Sequence, residues 1–199
     1  MDDLITPILD AVLIAPGELD ILGELHPADI GQEWMDKGTY RFYWAIGRAF
    51  RPESYIEIGV RFGYSIQSIA AGSGQLKTVY GFDNEYDMPG SLSVADARVR
   101  GLVRNTYFTK ADSQTLDTLG RIQADLAHVD GMHTREGVYH DCELAIEAIK
   151  PGGILLIDDV GGDAGLEVRR GSLDFCEAYK LTPHYLHCYH GMYLIRKPA

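Results

Sequence analysis

At 199 residues the chain is long enough for one domain with a substantial buried core, and short of what two need. Its 46% hydrophobic and 24% charged residues are ordinary for a soluble globular protein, with no biased tract. Eighteen basic residues against 29 acidic ones give a net charge of −11, a field that repels polyanions and speaks against a nucleic-acid partner.

The densest basic cluster is only Arg169-Arg170, most simply a solvated helix face. Cys142, Cys176 and Cys188 are odd in number and widely spaced, which argues against a disulfide framework, and no Cys-x-x-Cys pair suggests zinc. The start, Met1-Asp2-Asp3, is acidic where a signal peptide would be basic, and apolar runs such as Ile154 to Ile157 are too short to span a bilayer. The expectation is a cytoplasmic, reduced protein with no membrane partner.

In chain order, residues 1–32 read as irregular, because Pro7, Pro16, Gly17, Gly23, Pro27 and Gly31 cut up any helix. The pattern turns helical from Glu33 to Phe50, with Trp34, Tyr40, Tyr43, Trp44 and Ile46 as the packed side; Arg51-Pro52 ends it. Strand and helix then alternate. Strands are expected at Ser54–Ile58, Thr78–Phe82, Thr106–Thr109, Asp125–Val129 and Ile154–Ile157. The intervening helices are expected at Gly63–Ala71, Leu92–Leu102, Gln114–Arg121, Glu136–Ile149 and Leu166–Tyr179, with Pro151-Gly152-Gly153 stopping the fourth. His184–Cys188 and Met192–Arg196 form a terminal hairpin around Gly191.

Repeated βα units imply an α/β fold, a largely parallel sheet covered by helices on both faces, closed by an antiparallel strand. The chain reads as a single domain, 1–199: an irregular and helical N-terminal cap over 1–50 and a catalytic core over 51–199.

In such sheets ligands bind at the carboxyl ends of the strands, where strand order reverses. The first strand runs into Glu57-Ile58-Gly59-Val60-Arg61-Phe62-Gly63-Tyr64-Ser65. Gly59 and Gly63 sit where a side chain would block close approach of a ligand to the backbone, and Gly63 opens a helix whose free N–H groups favour a carboxylate. A dinucleotide fingerprint needs a glycine where Arg61 stands, so a dehydrogenase fails on glycine spacing. Asp83 ends the second strand about twenty residues later, where a carboxylate can take both hydroxyls of a ribose or act as a plain helix cap. Asp112-Ser113-Gln114 ends the third, and a bare N-cap is also consistent with it. Asp130 ends the fourth strand and Asp158-Asp159 the fifth, so neighbouring strand ends bring three carboxylates to one point on the rim. Oxygen ligands with open positions suit Mg²⁺; orienting backbone or donor groups is the metal-free alternative.

These residues resemble class I S-adenosylmethionine-dependent methyltransferases. Glu57 to Ser65 is similar to the catechol O-methyltransferase loop, including its Gly-Tyr-Ser ending, and Ser113-Gln114 recurs there. Val129-Asp130-Gly131-Met132-His133, Glu136-Gly137-Val138 and Lys150-Pro151-Gly152-Gly153 resemble a bacterial family that includes macrolide-sugar O-methyltransferases. The resemblance covers roughly 33–197 and leaves 1–32 unmatched.

It implies a Rossmann-like, seven-stranded sheet with its last strand antiparallel. It implies donor-binding roles for Glu57, Gly59, Gly63, Ser65, Asp83, Asp112, Ser113 and Asp130, with Asp112 and Ser113 near adenine. It implies metal ligation by Asp130, Asp158 and Asp159, although catechol enzymes carry Asn where this chain has Asp159. His133 lies three residues past Asp130, where those enzymes carry their catalytic lysine; with Asp130 it is the catalytic candidate, as general base. Asp36-Lys37-Gly38 resembles a short motif near the donor.

The expected activity is O-methylation of a small hydroxylated metabolite, such as a sugar or phenol, with S-adenosylmethionine as donor and Mg²⁺ as candidate cofactor. N-methylation and a non-catalytic nucleoside-binding protein of the same fold are the alternatives. Trp34, Tyr40 and Tyr43 are core or acceptor-lid residues, and His187 and His190 are read as surface or packing residues. The N-terminal segment is a candidate cover for a partner subunit in a homo-oligomer.

Overall fold

The computed structural model describes residues 3–30, 38–163 and 165–199. Five strands, β1 (Ser54–Ile58), β2 (Thr78–Asp83), β3 (Asn105–Lys110), β4 (Ala124–Val129) and β5 (Ile149–Ile157), run parallel. With β6 (His184–Leu186) and β7 (Met192–Arg196) they form one seven-stranded sheet in the order β3-β2-β1-β4-β5-β7-β6. β7 is antiparallel to both of its neighbours, β5 and β6, as the closing hairpin implies. Strand order reverses between β1 and β4, which opens a crevice there.

Alternation along the strands divides the core. Tyr55, Leu126, Leu156 and Leu194 face one hydrophobic cluster, while Ile56, Ala127, Leu155 and Ile195 face the other. The first is covered by α3 (Thr39–Phe50), α4 (Tyr64–Ser73) and α5 (Ser91–Val99), the second by α6 (Arg135–Glu147) and α7 (Leu166–Tyr179). Burial on both faces explains why the central strands read as continuous apolar runs.

The N-terminal segment departs from the irregular reading. It contains α1 (Thr6–Val12) and α2 (Glu18–Leu22), followed by a single 3₁₀ turn at Pro27–Asp29. Pro7 falls in the first turn of α1, where a missing N–H costs nothing, so it starts the helix instead of breaking it. Leu4, Ile8, Ile21 and Leu22 are buried in the first core cluster. Glu18 carries the segment onto α3: its carboxylate accepts from the N–H groups of Gly38 (2.8 Å) and Tyr40 (2.7 Å), a negative charge at a positive helix end.

The expected helix at Gln114–Arg121 is absent. Ser113–Thr115 makes one 3₁₀ turn, because the Gln114 amide is drawn away to Asp141 Oδ1 (2.8 Å) and the Gly137 carbonyl (3.3 Å), and Leu119 drops into the second core cluster. β5 begins five residues earlier than expected, with Ile149 pairing Ala124 before a register shift carries the chain through Pro151-Gly152-Gly153 to Ile154 opposite Leu126. Of the 33–50 helix, 39–50 forms as α3; Trp34, Asp36 and Lys37 lie outside the described residues. Among the described residues no helix is long and apolar enough to cross a membrane, and Cys142, Cys176 and Cys188 are free thiols.

Candidate active site

The strands end level. Gly59 N–H donates to the Phe82 carbonyl (2.8 Å), Asp130 N–H to Ile58 (2.9 Å) and Asp158 N–H to Val129 (3.0 Å), so the residue after each strand reaches the same rim. Above it lies a cleft of about 760 Å³, the size of a small-ligand site, lined by Gly59 to Ser65, Asp83, Asp112, Ser113, Asp130, His133, Asp158 and Asp159.

Gly59 and Gly63 both have positive φ, +89° and +73°. The reason for glycine differs from the sequence reading. A Cβ on Gly59 would collide with the backbone carbonyl of Asp130, and one on Gly63 would stand 2.9 Å from the Ala95 Cβ of α5. The bare positions let β4 and α5 approach the loop, and the loop's backbone is then free to line the cleft. Arg61 also adopts a left-handed φ of +48°. Its N–H donates to Asp83 (2.8 Å) and its guanidinium to the buried carboxylate of Asp29 (2.6 Å). The second Asp83 oxygen accepts from Glu85 N–H (2.6 Å), leaving the carboxylate fixed at the cleft wall with lone pairs to spare.

Glu57 does not line the cleft. Its side chain is 1% exposed and lies beneath the loop, away from the cleft wall, accepting from the Ser65 hydroxyl (2.5 Å) and facing His128 Nδ1 (2.8 Å). Ser65 reaches the cleft wall with its hydroxyl committed to Glu57. Asp112 caps the 3₁₀ turn through Gln114 N–H (3.0 Å) and, with Ser113, lines the cleft.

The acidic rim divides in two. Asp130, His133 and Asp159 present ligand atoms within 4.8 Å of one another at the surface, and Asp130, His128 and Asp158 do so one layer below. His133 Nε2 is 3.4 Å from Asp159 Oδ2 and 3.8 Å from Asp130 Oδ1. The three carboxylates expected to act as one ligand set are thus shared, with Asp130 common to both groups. Asp158 is 7% exposed and doubly held: Oδ1 accepts from Asp159 N–H (2.8 Å), and Oδ2 accepts a short hydrogen bond from the Tyr43 hydroxyl.

Burial, then the charges of Asp158 and Asp159, push Asp130 up to about 7 despite the neighbouring His133 imidazole. Burial and Asp159 likewise raise Asp158. For Asp159, burial is outweighed by the His190 hydrogen bond and the neighbouring histidines, and its pKa is lowered. The neighbouring Asp130 carboxylate, against burial, raises His133. This crowding of like charge is what a divalent cation relieves, and the oxygen-rich donor set fits Mg²⁺.

Two features were missed in the sequence. His190, read as a surface or packing residue, lies in the cleft wall with Nδ1 in a short hydrogen bond to Asp159. The other is buried: Glu57, His128, Tyr43 and Asp158 form an unbroken hydrogen-bonded chain, with Tyr43 Oη 3.1 Å from His128 Nε2. The aromatic residues Tyr40 and Tyr43 both pack in the core and line the cleft.

Burial opposes the charge on His128, but the hydrogen bond and charge of Glu57 outweigh it and bring its pKa up to about 9. With an unfolded value of about 6.5, the protonated pair stabilises the fold fully below that pH and its contribution is lost as pH rises through 9. Between pH 7 and 9.5 the wild type is expected to lose about 2 kcal/mol that His128→Gln does not lose. Denaturant midpoints of both proteins across that range check this; parallel curves would remove the assignment.

The methyltransferase-domain family model matches residues 56–160, which spans the loop, Asp83, Asp112, Asp130, His133, Asp158 and Asp159. Three solved structures share the fold. A methyltransferase from Podospora anserina with bound S-adenosylhomocysteine superposes with a TM-score of 0.65 at 16% identity, over 96% of this chain and 88% of that one. The O-methyltransferase of tomaymycin synthesis from Streptomyces achromogenes, in complex with S-adenosylmethionine, gives 0.63 at 17%, over 97% and 96%. An O-methyltransferase from Bacillus cereus with S-adenosylhomocysteine gives 0.62 at 14%, over 96% and 89%. No curated protein matches the chain. Because the family match takes in more than half of its residues, and the sheet order and rim agree with it, the chain belongs to the methyltransferase-domain family on the class I methyltransferase fold.

Proposed function

We propose that this protein transfers a methyl group from S-adenosylmethionine to a hydroxyl oxygen of a small metabolite, with Mg²⁺ at the acidic rim and His133 as general base. The observation that carries the reading is one continuous cleft, with the glycine loop as its floor and His133 between Asp130 and Asp159 at its mouth. Structural neighbours bound to S-adenosylmethionine and S-adenosylhomocysteine support the donor.

The methionine carboxylate is received by the N–H groups at the start of α4, where the helix dipole favours an anion. The lone pairs left on Asp83 accept from the ribose hydroxyls, and Asp112 and Ser113 flank the adenine. Asp130, Asp158 and Asp159 would hold Mg²⁺; when bound, the ion polarises the acceptor oxygen and stabilises its alkoxide character. His133 takes the hydroxyl proton as the oxygen attacks the methyl carbon, the carbon–sulfur bond breaks, and neutral S-adenosylhomocysteine departs. The acidic rim and the net charge of −11 favour neutral or cationic acceptors over nucleic acid.

A panel of hydroxylated metabolites and matched amines, followed by S-adenosylhomocysteine release, tests this. Turnover is expected with hydroxyl acceptors, to fall about a hundredfold in EDTA, and to return with Mg²⁺. Full activity in chelator removes the metal from the reading, and turnover with amines alone removes O-methylation.

A further inference from the structure

The buried chain below the rim meets the cleft only at Tyr43 and Asp158, and it ends on a rim carboxylate. Its members are almost wholly enclosed: Tyr43 is 2% exposed, and His128 is fully buried. Placing a histidine and a glutamate on the two central strands, inside an otherwise apolar sheet, costs free energy unless each polar group is satisfied. Three links satisfy both nitrogens of His128 and Oε1 of Glu57, while Glu57 Oε2 stays buried without a hydrogen bond. Glu57 on β1 holds His128 Nδ1 on β4 (2.8 Å), His128 Nε2 faces Tyr43 Oη on α3 (3.1 Å), and the Tyr43 hydroxyl donates to Asp158 Oδ2 at the end of β5.

Tyr43 lies 115 residues from Asp158 in sequence. Its ring is fixed edge-on against His128, with centroids 5.1 Å apart at 62°, and tilted against Tyr40 at 6.1 Å. The hydroxyl therefore has a set direction. With Oδ1 already committed to Asp159 N–H, the Tyr43 bond fixes the rotation of the Asp158 carboxylate, whose ligand atom lies within 4.8 Å of that of Asp130.

We infer that Tyr43 is a positioning residue for the cation at the rim, held by the His128–Glu57 pair, and sets the orientation of Asp158 that gives the site its affinity for Mg²⁺. This rests on the metal reading given above. Outer partners of ligating carboxylates contribute to metal affinity on the order of 10–100-fold. Tyr43→Phe removes one hydroxyl and keeps the ring contacts.

Calorimetric titration of Mg²⁺ into the full chain saturated with S-adenosylhomocysteine reads the effect without turnover. Tyr43→Phe is expected to weaken Mg²⁺ binding about tenfold or more, while S-adenosylhomocysteine affinity stays within about twofold of wild type. A purely structural role would lower thermal stability and leave the Mg²⁺ constant where it was. His128→Gln, which leaves Tyr43 in place and removes the imidazole that holds its ring and hydroxyl, is expected to weaken Mg²⁺ several-fold and carries the test alone should Tyr43→Phe not fold. Mg²⁺ binding within twofold of wild type in the folded variants overturns the inference and leaves the metal reading standing. Failure of the wild type to bind Mg²⁺ while it binds S-adenosylhomocysteine overturns both.

Discussion

Gly59→Ala is expected to destabilise the protein by about 3–5 kcal/mol and to abolish methyl transfer in whatever fraction remains folded. Two effects add. A φ of +89° is strained for any residue with a Cβ, and the new methyl would run into the Asp130 carbonyl, which is backbone and cannot rotate aside. Relief requires β1 and β4 to part at their carboxyl ends, where the Asp130 N–H to Ile58 carbonyl bond lies. Donor loop and acidic rim would move together. Gly74→Ala is the control: its φ is +63° and nothing lies within 4 Å of the added atom, so only the conformational cost of about 1 kcal/mol is expected. Denaturant midpoints of the two variants separate clash from strain. A Gly59→Ala protein no less stable than Gly74→Ala would contradict the packing described for the loop.

His133→Ala is expected to lower kcat by roughly 10²–10⁴, the range for loss of a positioned general base, with S-adenosylhomocysteine affinity changed by less than about twofold. The imidazole is more than half exposed in the cleft and pairs with Asp130 and Asp159, so its removal leaves the buried core untouched. His133→Gln keeps a polar side chain of similar reach without a titrating nitrogen, and the same loss is expected. A fall of less than about tenfold would assign proton removal elsewhere; His190, on the other side of Asp159, is the next imidazole in the cleft.

The alternation of strand and helix was legible because both faces of the sheet are covered, which leaves apolar runs in the strands and long periodic helices such as Leu166–Tyr179 between them. The rim was legible for the same reason: an acid ending an apolar run, as at Asp83, Asp130 and Asp158, has nowhere to go but the strand's carboxyl end. Short elements were not legible. α1 and α2 are 7 and 5 residues long, too short to hold a helix without the tertiary burial of Ile8 and Leu22. The 114–121 segment had helical character but lost it to long-range bonds from Gln114. Glu57 was given a donor contact because only its place in the motif is visible in sequence; its partner His128 is 71 residues away. A signal for that pair did exist. His128 interrupts the apolar run Leu126-Ala127-His128-Val129 as Glu57 interrupts Tyr55-Ile56-Glu57-Ile58, and two polar residues inside adjacent buried strands imply that they meet.

Calorimetric titration with S-adenosylmethionine and, separately, with NAD addresses the central claim, that the crevice between β1 and β4 is shaped for a sulfonium nucleoside. One equivalent of S-adenosylmethionine is expected to bind, weakened at least tenfold by Asp83→Ala, with no heat from NAD. Binding of NAD alone, or S-adenosylmethionine binding that Asp83→Ala leaves untouched, would contradict it.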